Sequence, residues 1–134
     1  MVDTGSSGWR NFEDFRFRVI DRSQTRLFAL INIIGTGMIS TDLEQNPYDM
    51  DTDKTAAIAN QHSDVVVGIK TAHYQGPEWI SVDRCLEAAG KASLPVMIDF
   101  GFFRKERPYH QLLTEKLRPV SYTHLRAHET EADL

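Results

Sequence analysis

An apolar run that ends in a single cation is the part of this chain best suited to chemistry: Asp64-Val65-Val66-Val67-Gly68-Ile69-Lys70. Residues 65–69 carry no polar side chain, the pattern of a strand buried on both faces, as in parallel sheets. In parallel α/β proteins the reacting groups gather at the carboxyl ends of strands. An ammonium placed there is costly to desolvate, so its pKa falls and the amine becomes chemically available. The alternative is a lysine that leaves the sheet for water, as most lysines do. Three further residues stand in comparable places. Asp99 closes the run Pro95-Val96-Met97-Ile98-Asp99, and Asn32 closes the apolar stretch 26–32. His73, with Tyr74 beside it, follows Lys70 on the same strand-end loop. Each can contact a substrate, and each can equally cap or brace its own loop.

Other reactive residue types read as structural. Cys85 is the single cysteine, which excludes an internal disulfide framework, and it falls on the apolar side of a helical pattern as a small core residue. His62 and His110 lie in helical or inter-element contexts and read as packing or surface residues. Arg104-Lys105-Glu106-Arg107 is a charge run, read as a solvated loop or, in a complete protein, as a contact for an acidic substrate group. Trp9 and Trp79 read as helix–sheet packing. No G-x-G-x-x-G or G-K-[ST] loop follows a strand, which argues against nucleotide binding. Gly5-Ser6-Ser7-Gly8 matches neither spacing; it reads as a turn, with a helix start that touches an anion as the alternative.

The elements that must position these residues alternate. Residues 1–3 read as the end of a strand. Trp9, Phe12, Phe15, Val19 and Ile20 then recur at helical spacing and make one apolar face. Residues 26–32 form a strand, with Gly35 and Gly37 marking the loop after it. Residues 36–53 are polar and turn-rich, with Asn46-Pro47 as a turn. Thr52 or Asp53 caps a short helix through Ala56, Ala57 and Ile58. The strand 65–70 comes next, then a helix over 79–92, a strand over 95–99, a loop over 100–108 and a last helix over 109–117. This β-α-β-α-β-α-β-α order implies a parallel sheet with right-handed crossovers, either doubly wound or part of a (β/α)8 barrel. A closed barrel needs about 250 residues, and this chain has 134.

Composition narrows the classes further. The formal net charge is −4, with no basic field suited to nucleic acid or an anionic membrane. No stretch approaches the ~20 apolar residues of a membrane helix. The expected partner is a small-molecule substrate, with no nucleic acid and no membrane; the oligomeric state stays open. The default compartment is cytoplasmic, with a signal peptide ahead of Met1 left open.

Several pieces stand in one order: Asp3-Thr4-Gly5-Ser6-Ser7-Gly8, Asn11-Phe12, residues 26–35, Val67-Gly68-Ile69-Lys70, Leu94-Pro95-Val96-Met97 and Leu117-Arg118-Pro119. That ordered set resembles the deacetylase branch of the amidohydrolase superfamily, metal-dependent hydrolases related to dihydroorotase, over essentially all of residues 2–119. The resemblance implies a partial TIM-type (β/α)8 barrel with one or two divalent metals, usually zinc, at the carboxyl ends of its strands. It implies that Lys70 is a metal ligand, carboxylated to an anionic carbamate that bridges two metals, with Asp99 standing where many relatives carry a histidine. The implied activity of the complete protein is hydrolysis of a non-peptide amide or an acyl group by metal-activated water. A dihydroorotase-like cyclic amidase is the rival within enzymes, and an α/β module that binds an anionic ligand through Lys70 is the rival outside them. The family's other metal ligands and its late aspartate fall outside this chain, so the expected fragment is inactive.

The final segment is read separately. Residues 120–134 look like the in-frame translation of a sequencing adapter, so residues 1–119 are taken as the partial hydrolase domain and the tail as not native. His124 and His128 are not counted as ligands for that reason. The tail carries one positive and three negative charges (Arg126, Glu129, Glu131, Asp133), so the remainder has net charge −2.

Overall fold

The computed structural model describes residues 1–99 and 104–117. The expectations for residues 100–103 and for everything from Arg118 onward, including His124 and His128, lie outside the described residues. Four strands and the helices between them follow the expected alternation: β1 (Val2–Gly8), α1 (Phe12–Phe15) continuing into a wider π turn (Arg16–Ile20), β2 (Phe28–Asn32), α2 (Thr52–Gln61), β3 (Val66–Lys70), α3 (Ile80–Ala92), β4 (Val96–Met97) and α4 (Tyr109–Gln111), which runs into a second π turn (Leu112–Lys116). Two single 3-10 turns, Leu43–Gln45 and Pro47–Asp49, punctuate the long polar segment after β2.

All strand pairings are parallel and the spatial order is β1-β2-β3-β4, the order of the sequence itself. A doubly wound sheet reverses its strand order at a switch point, whereas a (β/α)8 barrel adds each strand beside the last. The sheet therefore follows the barrel pattern. Register matters most at the carboxyl ends, where Gly8 lies level with Asn32, Asn32 with Lys70, and Lys70 with Met97. One residue earlier stand Ile31 and Ile69, level with Val96 on the next strand, all buried in the apolar core. Side chains alternate across a strand, so Lys70 and Asn32 face away from that core.

The core is built from the strand residues Ala29, Ile31, Val66, Ile69 and Val96 packed with Phe12, Ala59, Val82, Cys85, Leu86, Ala89 and Leu112 from the helices. Fully burying a Leu or Val side chain stabilises by about 1.5–3 kcal/mol, and α3 supplies both kinds at helical spacing. Cys85 is wholly buried in this layer, where burial pushes its thiol up, away from nucleophilic chemistry. Among the described residues, no helix is long and apolar enough to cross a membrane.

Three local expectations are corrected. Gly5-Ser6-Ser7-Gly8 is not a turn: β1 runs through it, with an irregularity between Thr4 and Gly8 that inserts extra residues against β2. Trp9 is not helical; it precedes α1, donates its indole N–H to Asp49 O at 3.1 Å, and lies under Arg10 and Lys54. The cap of α2 is Asp51, not Thr52 or Asp53: its Oδ1 accepts from the Lys54 N–H at 2.9 Å, and that bond holds its carboxyl below the usual range.

Candidate active site

Lys70 ends β3 with its side chain only 2% exposed. Its Nζ lies 3.2 Å from His73 Nε2, 3.4 Å from Thr71 O, 3.5 Å from Met38 Sδ and 3.7 Å from Asp99 Oδ2. The aliphatic stem lies against Gly5: a Cβ built on that glycine would sit 2.6 Å from Lys70 Cδ, and Gly5 has φ +91. Burial pushes the ammonium below its ordinary 10.5, against the opposing pull of Asp99 and Glu44. The lysine thus stays in the site and does not turn out to water.

The sign of that shift gives a measurable slope. Between the lowered native value and 10.5, the unfolded chain keeps a proton at Lys70 that the folded chain has lost, so stability rises with pH across that window. Lys70→Met should remove this contribution. Urea unfolding of both proteins at a series of alkaline pH values checks it; identical slopes would contradict a buried, penalised ammonium.

His73 is the hub of the cluster. Its Nδ1 is 2.9 Å from Glu44 Oε2 and its Nε2 is 3.0 Å from Asp99 Oδ2. Its backbone N–H points at Glu44 Oε1 at 3.4 Å, and Gln45 Nε2 donates to its carbonyl at 3.1 Å. One Nε2 atom cannot at once donate to Asp99 and accept from Lys70. Two proton arrangements follow: a ring donating to both carboxylates beside a neutral amine, or a ring accepting from a charged amine at Nε2, which leaves Asp99 Oδ2 facing a second acceptor at 3.0 Å. In both of them Nδ1 carries a hydrogen directed to Glu44.

Asp99 follows β4 and is held by its backbone. Thr71, 1% exposed, accepts from Asp99 N–H at 2.9 Å through Oγ1 and donates from the same hydroxyl to Asp99 O at 3.0 Å. Its carboxylate is 39% exposed, which leaves it in reach of a ligand. Thr71→Val keeps shape and removes both bonds, at a cost of about 1–3 kcal/mol, and lets Asp99 move off His73. Faster hydrogen exchange at Asp99 with a lowered urea midpoint is the expected outcome; unchanged exchange would show that β4 holds Asp99 without Thr71.

Asn32 is fully buried at the end of β2. Its Oδ1 accepts from Ile34 N–H at 3.0 Å, and its Nδ2 reaches Gly5 O at 3.4 Å and Glu44 Oε1 at 3.5 Å. All four residues expected from the sequence, Lys70, His73, Asp99 and Asn32, are brought together, with Asn32 engaged by the loop and by Glu44. Glu44, Thr71, Met38 and Gly5 were not anticipated. Glu44 is 3% exposed, sits in a 3-10 turn within an aperiodic polar segment, and carries no local signal that marks it as buried.

The remaining candidates separate. His62 packs at a tilt against Phe12 and contacts the Arg16 guanidinium at 3.0 Å, a packing role; His110 is exposed. Arg107 corrects the solvated-loop reading, since it is 2% exposed and donates to Tyr74 O at 2.8 Å, tying its loop to the one after β3. Among the described residues, no three His, Cys, Asp or Glu side chains are grouped to hold a metal ion. Lys70 as a carbamate adds one oxygen ligand, while zinc takes about three or four, so the described side chains do not hold a metal by themselves. What does fit the implied chemistry is the buried amine with its lowered proton affinity.

Comparison with known proteins agrees with the fold. A solved dihydroorotase superposes with TM-score 0.75 at 26% sequence identity, over 88% of this chain and 34% of its own. A solved adenine deaminase gives TM-score 0.66 at 20% identity over 72% and 27%, a likeness of fold. A deacetylase of Agrobacterium fabrum is 30% identical over 73 residues, which is 52% of this chain and 18% of that protein. No protein-family profile matches. The chain thus spans about a third of the dihydroorotase and less than a fifth of the deacetylase, and its four parallel strands form part of a (β/α)8 fold.

Proposed function

We propose, starting from a chain that is similar in sequence and fold to the deacetylase and dihydroorotase branch of amidohydrolase-like proteins, that the whole protein hydrolyses a non-peptide amide or an acyl group and that Lys70 is its carboxylated ligand. The observation that carries this reading is Lys70 itself: a buried amine at a parallel strand's carboxyl end, with its proton affinity lowered by burial. Carboxylation needs the neutral amine. Its lone pair forms an N–C bond to carbon dioxide as one C=O π pair moves onto oxygen, the nitrogen gives its proton to solvent, and the product is an anionic carbamate. His73 and Asp99, within 3.2 Å and 3.7 Å of Nζ, border the place where that group would stand.

One or two divalent metals, zinc by analogy, belong to this reading; bound in the whole protein, they supply Lewis-acid polarisation of the scissile carbonyl. This chain's contribution is the carbamate and the polar wall beside it. The half-exposed Asp99 carboxylate accepts from a substrate N–H, while Asn32 braces Gly5 and Glu44 from behind.

Metal analysis of the uninterrupted gene product, together with turnover of N-acyl amino acids, acyl esters and cyclic ureides, tests the proposal. Bound zinc with hydrolysis of the first or second group is the expected result. Turnover of cyclic ureides alone would move the reading to a cyclic amidase. No metal and no turnover, with an anionic ligand still bound, would replace the hydrolase by a binding module.

A further inference from the structure

We infer that Glu44 is a positioning residue, fixing His73 through its ring Nδ1 so that Nε2 is presented to Lys70 and Asp99. The carboxylate is almost wholly buried, and both of its oxygens reach His73: Oε2 the ring at 2.9 Å and Oε1 the backbone N–H at 3.4 Å, Oε1 also accepting from the Asn32 amide at 3.5 Å. Gripping the same residue by ring and backbone sets both the ring's tilt and its rotation about the side-chain bonds. Gln45, next in the 3-10 turn, completes the clamp: it donates to the carbonyls of His73 and Thr41 and accepts from Gln75 N–H at 2.7 Å. A turn from the segment after β2 therefore aligns the loop after β3.

The chemical reason is that an imidazole has two nitrogens, and the bond made by one decides what the other presents. With Nδ1–H directed to Glu44, the ring can turn only one edge to the cluster. Without Glu44, either nitrogen can carry the hydrogen, and the ring is free to flip away from Lys70.

The catalytic consequence rests on the hydrolase reading above, but the orientation does not, and the experiment keeps the two apart. In the whole protein, ring nitrogen chemical shifts of His73 are recorded for the parent, Glu44→Leu, which removes the acceptor at similar volume, and Glu44→Gln, which keeps one. The expected spectra show Nδ1–H in the parent and in Glu44→Gln, and a hydrogen redistributed to Nε2 in Glu44→Leu. On the substrate found for the parent, kcat/KM falls about 10–100-fold in Glu44→Leu, the cost usual for loss of an orienting partner, with Glu44→Gln recovering part of it. An unchanged His73 spectrum in folded Glu44→Leu overturns the inference. If Glu44→Leu does not fold, Glu44→Gln decides: the Nδ1 proton resonance should move upfield because a neutral acceptor replaces a charged one, and an unmoved resonance is the overturning result. A parent that hydrolyses nothing would sink the function and leave the spectral result standing.

Discussion

In the whole protein, Lys70→Ala loses more than the roughly 10–100-fold that removal of an orienting partner costs, and millimolar acetate or propionate restores part of the activity. The substitution removes both the amine and the carboxyl group proposed for it, leaving a space behind the His73 ring that is walled by Gly5, Met38 and Asp99. A short carboxylate supplies the missing anionic oxygens. An alkylammonium supplies the missing cation instead. Rescue by the acid and none by the amine is the expected pattern. The reverse pattern would mean that Lys70 works as a free ammonium. Carbon-13 bicarbonate gives a second readout, since a carbamate carbon resonance should appear in the parent and vanish in Lys70→Ala.

Gly5→Ala is the other change with a large expected effect. The backbone at Gly5 has φ +91, a conformation that costs a residue with a Cβ about 1–3 kcal/mol. The added carbon also lands 2.6 Å from Lys70 Cδ and 3.1 Å from Lys70 Cβ, inside the packing distance of two carbons. Either the irregular part of β1 unwinds or the lysine stem is driven out of its slot. Both outcomes lower the urea midpoint, and the second also exposes the amine, so that Lys70 becomes labelled by acylating reagents at the rate of surface lysines. A variant with unchanged stability and a protected Lys70 would show that β1 has room the present packing denies.

The alternation of strands and helices was legible because buried parallel strands leave unbroken apolar runs and helices leave a spacing of three and four. The strand-end residues stood out for the same reason: where the apolar run stops, a polar residue must be either solvated or paired, and Lys70, Asp99 and Asn32 are held in one polar cluster with His73 and Glu44. The end of β1 was not legible. Gly5-Ser6-Ser7-Gly8 has turn composition, yet its glycines are there because another backbone or side chain comes too close for a Cβ, as Lys70 does at Gly5. Glu44 was hidden by a different cause. Its burial is created by His73, 29 residues further on, and nothing in its own neighbours is periodic. Arg107 was misread for a related reason, because a charge run describes the average residue in it and not the one member whose guanidinium reaches Tyr74 O.

The hydrogen bonds that join Lys70, His73, Asp99, Glu44, Asn32 and Met38 span at most 32 residues of sequence. Protein synthesis delivers residues in order, and amino-terminal parts fold first. Each bonded pair therefore leaves the ribosome with at most 32 residues between its members, and the pocket around the amine is completed only when Asp99, just after β4, has emerged.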